Sequence, residues 1–315
     1  MAVLLAYFSV VLIWATTPLT IQWSSDSLSF IAAVLLRMSV ALLIGLIINF
    51  ALRRKLFAQT GVWQVYAAGA IGIFPNMPVV YWSAQFIPSG LVAVVFAMSP
   101  FVMGLMTLVL LKHNPFSVRR IVALLLALTG LVVIFYHQLQ FSLRAAYGVA
   151  GILLSCFLFS FSSVLVKKLD VKVDSFNQAL GTLLFALPGL LMLWWYMDGH
   201  IPVAISIKSL VAVGYLSIFG SLLGAALFFY VLANMSPTAV SLITFMTPVL
   251  ALILGSWVGR ESLSLQLWFG AAMVVVALLL YLDLSTENLF FTALRKNIWR
   301  DDPLQAIKDD VHKYK

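Results

Sequence analysis

Long stretches of apolar residues, separated by short polar connections, cover most of the chain. Ten of them are long enough to cross a membrane as helices, since about 17 to 25 apolar residues span the hydrocarbon core. They are 3–22, 28–50, 62–82, 90–111, 120–137, 147–166, 176–197, 209–232, 238–258 and 265–283. The connections carry turn-forming residues such as Pro88, Asn114 and Gly199. The pattern therefore predicts an all-α integral membrane protein with ten transmembrane helices.

The composition agrees with this pattern. The chain is 63% hydrophobic and only 10% charged, whereas a soluble domain carries about 25% charged residues. Most of the surface is therefore expected to face lipid. The first apolar stretch has no basic segment before it and no small-residue cleavage site, so we expect it to be retained as a helix.

The chain also contains an internal duplication. Several residues of its middle have an identical or chemically similar residue 148 positions later, in the same order. The pairs are Gly72/Gly220, Tyr81/Phe229, Trp82/Tyr230, Ser99/Thr247 and Pro100/Pro248. We therefore predict two five-helix repeats, 1–140 and 141–283. Because five is an odd number, the second repeat enters the membrane inverted, an organisation typical of many secondary transporters.

The basic residues indicate the orientation. With a cytoplasmic amino terminus, fifteen of the 19 lysines and arginines lie on the cytoplasmic side, nine in loops and six in the tail. Three lie on the outer side and one, Arg37, lies within a span. Since cytoplasmic loops carry the excess of basic residues, both termini are predicted to be cytoplasmic. Segment 284–315 is predicted to be a cytoplasmic amphipathic and polar tail, with a partly disordered tail as the alternative.

Several of these features together resemble the EamA-type carriers of the drug/metabolite transporter superfamily. Trp14 lies where that family shows a Trp-Gly-Ser/Thr pattern, although Ala15 replaces the glycine, and Arg37 lies where the second span often reads L-R-F. Pro100 and Pro248 match the proline in each fourth span, and Glu261 matches the acidic end of that helix. The first half departs, with Lys112-His113 at that point. The resemblance covers about residues 3–283 and implies export or exchange of small metabolites, often amino acids.

Arg37 is the most informative single residue. A charge near the middle of a span costs at least about 2.5–3.5 kcal/mol, so it is expected to face a cavity or a partner. No acidic residue lies clearly inside any span. The guanidinium could therefore pair with a substrate carboxylate, for which its fork geometry is suited. The alternative is a structural role, in which Arg37 binds backbone carbonyls, Glu261 or a lipid headgroup.

Aromatic and polar residues on the predicted inner helices complete the candidate site. The candidate substrate-binding residues are Trp14, Arg37, Asn76, Tyr81, Trp82, Phe96, Ser160 and Thr244. Aromatic walls with a few polar groups are typical of small-molecule pockets, but aromatics also fill cores and form belts at membrane interfaces. Pro100 and Pro248 are candidates for hinges or gates, because each frees a carbonyl one turn back. Glu261 is the candidate coupling residue.

The sequence thus favours a secondary carrier, an exporter or exchanger of small organic metabolites such as amino acids, that works by alternating access. A proton-coupled drug or metabolite efflux carrier, a channel and a non-transporting membrane protein are the alternatives. An enzyme is disfavoured because the four histidines are scattered and no catalytic motif appears. No cofactor or metal is expected, since the single cysteine excludes a cysteine cluster.

The expected partners follow from the prediction of a membrane carrier. They are a small-molecule substrate, carboxylate-bearing or aromatic, and membrane lipid, with the protein a monomer or dimer. The net charge of +8 does not indicate nucleic-acid binding, since the basic residues lie in short loops. The expected location is a bacterial cytoplasmic membrane.

Overall fold

The computed structural model describes residues 2–114, 116–141, 143–200, 204–235, 240, 243–258 and 265–281. Every regular element in these ranges is helical. The first seven are α1 (Ala2–Ser24), α2 (Phe30–Ala51), α3 (Val62–Ala70), α4 (Asn76–Ser83), α5 (Ser89–Phe96), α6 (Ser99–Leu111) and α7 (Val118–Phe141). The others are α8 (Leu143–Leu169), α9 (Ser175–Met197), α10 (Ile207–Tyr215), a π-helical segment (Leu216–Leu223), α11 (Gly224–Asn234), α12 (Ile243–Trp257) and α13 (Leu265–Tyr281). Glu261 and the tail 284–315 lie outside the described residues.

Six helical stretches of the described chain are long enough and apolar enough to cross a membrane. They are Ala2–Ser24, Phe30–Ala51, Ser89–Leu111, Leu143–Leu169, Ser175–Met197 and Ile207–Asn234. This confirms the prediction of an all-helical, multi-pass membrane protein. The total of ten spans and the inverted relation of the two halves stay predictions.

The third predicted span is interrupted in its middle. Helix α3 ends at Ala70, and α4 begins at Asn76. Pro75 precedes α4; it lacks an N–H group and disfavours helical backbone in the residue before it. The interruption leaves carbonyls of α3 without partners inside their own helix. The Ser162 hydroxyl of α8 donates to two of these carbonyls, those of Ala68 (2.7 Å) and Gly69 (3.2 Å).

The eighth predicted span is irregular as well. Between α10 and α11 the backbone forms a π-helix, Leu216–Leu223, with Gly220 inside it. This irregularity arises without a proline. In a π-helix each N–H bonds to the carbonyl five residues back instead of four, so the turn is wider but the hydrogen bonds are kept. Segments of this kind are frequent at functional sites. Gly72 and Gly220, which the duplication pairs, thus both lie where an α-helix is disturbed.

The paired prolines of the fourth and ninth predicted spans occupy different positions in their helices. Helix α5 ends at Phe96 and α6 begins at Ser99, so Pro100 occupies the first turn of a new helix, where its missing N–H has no consequence. Pro248 lies inside α12. Both prolines are buried.

The two predicted halves interlock through their first helices. Helix α1 packs against α10, α11 and α12, whereas α8 packs against α3, α4 and α6. Helices α2 and α9 pack against each other, and α7 packs against α13. Helices α2 and α9 begin in the same way, since the side chains of Ser29 and Asp174 accept a hydrogen bond from the backbone N–H three residues on. This arrangement brings both interrupted spans to the centre of the molecule.

Candidate functional site

A cavity of about 170 Å³ lies between the two predicted halves and is partly open to its surroundings. Its walls come from helices α1 to α5 of the first half and from α8, α9, α11 and α12 of the second. Both interruptions contribute, with Gly72 and Ile73 from one and Gly220 and Ser221 from the other. The walls are mostly apolar, as is usual for sites that bind small organic molecules.

Arg37 is the one charged residue among the described residues of the cavity wall. It is only 3% exposed. Its Nε donates to the Ser221 hydroxyl (2.7 Å) and its Nη1 to the Tyr81 hydroxyl (3.3 Å). Its guanidinium carbon lies 5.9 Å from the centre of the Tyr81 ring, within the range of a cation–π contact. Within the described chain, Arg37 has no acidic partner.

The π-helical segment holds this guanidinium at close range. A Cβ atom on Gly220 would lie 2.9 Å from Nη2 of Arg37, closer than such contacts occur. The next residue, Ser221, supplies the hydroxyl that accepts from Nε. Glycine and serine together therefore let α2 and the π-helical segment approach closely enough to fix the arginine side chain.

Four aromatic rings form a continuous wall of the cavity. Trp14 stacks on Phe228 with ring centres 5.2 Å apart, and it meets Phe159 edge to face at 5.6 Å. Phe159 also contacts Phe96 (5.5 Å) and Phe228 (5.3 Å). Helices α1, α5, α8 and α11 each supply one ring, so this aromatic wall joins both halves of the chain. Rings in such contacts can receive a further aromatic or apolar group.

The interrupted third span forms another part of the wall, together with α8 and α9. Gly69 lies so close to α9 that a Cβ atom there would be 2.3 Å from the Thr182 hydroxyl. On the same helix, Gln178 Nε2 donates to the Val65 carbonyl (3.1 Å). Gly69, Ser162 and Thr182 all line the cavity. This part of the wall therefore presents neutral hydroxyls.

The structure brings only part of the predicted site to the cavity. Trp14, Arg37 and Phe96 line it, and Tyr81, which is fully buried, reaches it through its hydrogen bond with Arg37. Asn76 lies behind the wall, where its Nδ2 donates to the carbonyl of the lining residue Gly72 (2.9 Å).

Three further predicted residues lie away from the lining set. The Trp82 ring packs edge to face on Phe86 at 4.9 Å. The Ser160 hydroxyl donates to the Ser99 carbonyl (3.3 Å) in a contact between α8 and α6. Thr244 is buried in α12, one turn from the lining residue Thr247. Pro100 and Pro248 are not among the lining residues.

Other lining residues were missed by the sequence reasoning. Those with a polar or aromatic side chain or a close backbone approach include Phe159, Ser162, Thr182, Gly220, Ser221 and Phe228. The duplication held a usable signal for one of them, since Gly72 and Gly220 are a repeated pair and both line the cavity. Nothing local in the sequence distinguishes Phe159 or Phe228 from the many other phenylalanines.

The described part of the chain contains no group of three or more His, Cys, Asp or Glu side chains that could hold a metal ion. The chemistry available at the cavity is therefore that of one guanidinium, several hydroxyls and an aromatic wall. A cavity at the centre of a multi-helix membrane protein, between two halves with interrupted spans, is typical of membrane transport proteins.

The comparison with protein families defines this class further: the chain belongs to the EamA-like transporter family, whose model matches residues 1–136 and again residues 146–282. This confirms the resemblance found in the sequence, and it places the chain in a family of transporters.

Individual proteins are similar to the chain over most of its length. The chain is 26% identical to the uncharacterized inner membrane transporter YedA of Escherichia coli strain K12 over 293 residues, 87% of this chain and 89% of YedA. It is 28% identical to protein PecM of Dickeya dadantii over 229 residues, 71% of this chain and 75% of PecM. The chain is therefore a multi-pass protein of the bacterial inner membrane, as predicted.

A solved crystal structure has the same fold. It superposes with a TM-score of 0.62 and covers 90% of this chain and 97% of its own. The two sequences are only 18% identical.

Proposed function

We propose that the protein is a secondary carrier that exports or exchanges small organic metabolites, such as amino acids, by alternating access between two inverted five-helix repeats. The observation that carries this proposal is the central cavity, whose walls combine both predicted halves around the buried Arg37. The proposed repeats are 1–140 and 141–283. The two separate matches to the family's model support this division.

Polar contacts between the two halves lie at the end of the molecule that is predicted to face outward. Asp26, in the connection between α1 and α2, pairs with Lys208 at the start of α10 (Oδ2 to Nζ, 2.5 Å). Nearby, the Ser206 N–H donates to the Ser27 hydroxyl (3.0 Å). We call these four residues the outer contact.

A comparable set lies at the end that is predicted to face the cytoplasm. Arg54, just after α2, pairs with Asp174 before α9 (Nη1 to Oδ2, 2.9 Å). Asn49 Nδ2 donates to Asn177 Oδ1 (2.9 Å). We call these four residues the inner contact. Each set joins a segment near one helix end of the first half to a segment near a helix end of the second half. If the two halves are inverted copies, the symmetry that relates them also relates the outer contact to the inner contact.

Alternating access gives these contacts a role. Opening the cavity to one side separates the halves on that side, so the outer and inner contacts break in different states. Side chains of both ion pairs are about half exposed, from 43% to 53%. Exposed pairs contribute at most about 1 kcal/mol. Such weak pairs bias the equilibrium between states without locking the protein in one of them.

Counterflow in proteoliposomes tests the proposal. Vesicles with purified protein are loaded with one unlabelled solute from a panel of amino acids and organic acids, and entry of the labelled solute is followed against protein-free vesicles. A carrier gives saturable counterflow, whereas a channel gives flux that rises linearly with concentration. A lack of counterflow with every solute of the panel would contradict the proposal.

Energy coupling is tested in the same vesicles. The predicted coupling residue is Glu261. If the carrier is an exchanger, an imposed pH gradient and an uncoupler leave counterflow unchanged. Transport that requires the pH gradient and is lost in Glu261→Gln would favour the proton-coupled alternative instead.

A further inference from the structure

We infer that the cavity selects organic monoanions, solutes with one carboxylate beside an apolar body, over zwitterionic amino acids of the same shape. This inference rests on the proposed carrier function and narrows its substrate class from small organic metabolites to organic monoanions, so that amino acids are the poorer substrates. It depends on three features of the cavity: the unfilled hydrogen-bonding capacity of Arg37, the lack of a negative charge in the described wall, and the aromatic wall.

Several N–H donors of the Arg37 guanidinium are not used by the described protein. A guanidinium has five N–H donors, and the structure gives partners to two of them, the Ser221 and Tyr81 hydroxyls. The other three, one on Nη1 and two on Nη2, have no partner among the described residues. A buried charge is stable only when it is paired and its hydrogen bonds are made. A carboxylate supplies both, since its two oxygens accept from the guanidinium fork.

The described wall offers no matching site for an ammonium group. Its residues include one positive charge and no Asp or Glu. A monoanion therefore neutralises the site, whereas a zwitterion brings a second positive charge into the same cavity as Arg37. The ammonium group would find neutral partners, the Thr182 and Thr247 hydroxyls and the faces of the aromatic rings. These contacts offset part of its desolvation, but they do not cancel its repulsion from Arg37 as a carboxylate of the protein would.

The aromatic wall accommodates the rest of the solute. The rings of Trp14, Phe96, Phe159 and Phe228 all line the cavity that Arg37 lines. An apolar or aromatic body buried against them gains the hydrophobic contribution of the area removed from water. The cavity thus offers one cationic group and an apolar surface, and it is complementary to a carboxylate attached to a hydrocarbon.

A matched pair of probes tests the selection directly. 3-Phenylpropanoate and L-phenylalanine share the phenyl ring and the carboxylate, and they differ only in the α-ammonium group. Binding of each to purified protein is measured by titration calorimetry in detergent, and counterflow of each is measured in proteoliposomes. We expect 3-phenylpropanoate to bind at least about tenfold more tightly, because its charge is compensated fully. Equal or tighter binding of phenylalanine, or no binding of 3-phenylpropanoate, would overturn the inference.

Variants of the arginine connect the selection to its cause. Arg37→Gln is expected to abolish the preference for the anion, and Arg37→Lys to retain part of it, because lysine keeps the charge but not the fork. Arg53→Gln is the matched control, since it removes one positive charge at an exposed position. If Arg37→Gln does not fold, Ser221→Ala takes its place, with a smaller loss of preference expected. An unchanged preference in a folded Arg37→Gln, or in Ser221→Ala used in its place, would contradict the inference.

The two measurements separate the inference from the proposed function. Tight anion binding without counterflow of any solute would leave the inference standing and contradict the carrier function. Counterflow of phenylalanine at the rate and affinity of 3-phenylpropanoate would support the carrier function and contradict the inferred preference for anions.

Discussion

The third and eighth predicted spans are counterparts in the duplicated sequence, and both are interrupted where they meet the cavity. The third is broken between Ala70 and Asn76, and the eighth passes through the π-helix Leu216–Leu223. The paired glycines, Gly72 and Gly220, line the cavity from the two sides. The backbone feature is thus shared, although proline is associated with it in one span and a π-helix forms in the other.

The side chains that hold the two interruptions are not equivalent. The third span is held by neutral groups of α8 and α9, including the Ser162 hydroxyl and Gln178. The eighth is held by a charged group, Arg37 of α2. Arg37 and Thr182 are each the eighth residue of their helix, and both line the cavity. The comparison teaches that a duplicated scaffold can form the cavity while one half alone supplies its charge.

The largest expected effect is the loss of that charge. Arg37→Gln should raise the dissociation constant of an anionic substrate about 10- to 100-fold, because a hydrogen bond to a charged group contributes about 1.5–3 kcal/mol. Thr182→Val, the matched change in the other half, should change it less than threefold. Titration calorimetry with 3-phenylpropanoate measures both. Equal losses in the two variants would show that the halves contribute alike.

The glycine pair gives the next largest effect. Gly220→Ala forces Nη2 of Arg37 away from a Cβ atom that would lie 2.9 Å from it, and we expect about tenfold weaker anion binding as the guanidinium shifts. In Gly72→Ala the new Cβ atom meets the Ser162 hydroxyl at 3.1 Å. Calorimetry should therefore show a smaller change in affinity for Gly72→Ala. The opposite order would show that the third span, not the eighth, positions the substrate.

Two serines separate structural from binding roles. Ser162→Ala removes the hydroxyl donor of the Ala68 carbonyl, while the Gly69 carbonyl keeps the Gly72 N–H (2.9 Å). The free energy of unfolding should therefore fall by about 1–3 kcal/mol, while the preference for anions remains. Ser221→Ala removes the acceptor of Arg37 Nε and should weaken the preference. The thermal midpoint and the ratio of the two affinities distinguish these outcomes. A loss of preference in Ser162→Ala would contradict the assignment.

The smallest expected effects are those of the outer and inner contacts. Asp26→Asn weakens the outer contact and Asp174→Asn the inner one, so the two variants should shift the equilibrium between states in opposite directions. The shift should be at most about fivefold, since exposed pairs contribute no more than about 1 kcal/mol. Labelling of Thr17→Cys, at a partly exposed position of the cavity wall, by an impermeant thiol reagent applied from either side measures it; the native Cys156 is buried. A shift in the same direction in both variants would contradict alternating access.

Much of the fold was predictable because each membrane helix depends on local composition. A run of about 20 apolar residues predicts a helix wherever it occurs, and two prolines in the third span, Pro75 and Pro78, are a local signal that its helix bends. The π-helix in the eighth span was not foreseen, since it contains no proline. The position of Arg37 beside a cavity could also be predicted, because a lone arginine in an apolar span requires a cavity or a partner.

The direction in which most side chains point, into the cavity or toward another helix, could not be predicted from the sequence. Ser160 and Ser162 are two positions apart on α8, which turns them about 200° from each other. Ser160 therefore contacts the Ser99 carbonyl of α6, while Ser162 contacts the interrupted third span and lines the cavity. In a soluble helix the polar stripe would show which face is outside. A helix that is apolar all round carries no such stripe.

The sequence by itself determined the apolar spans, the duplication and the cation within a span, because each depends on residue type and spacing along the chain. Only the tertiary structure decided which rings and hydroxyls surround that cation. Phe159 and Phe228 come from helices of the second half and meet Trp14 and Phe96 of the first. Such neighbours are set by how helices rotate and pack against one another, and in lipid this packing depends on close fit rather than on burial of apolar surface from water.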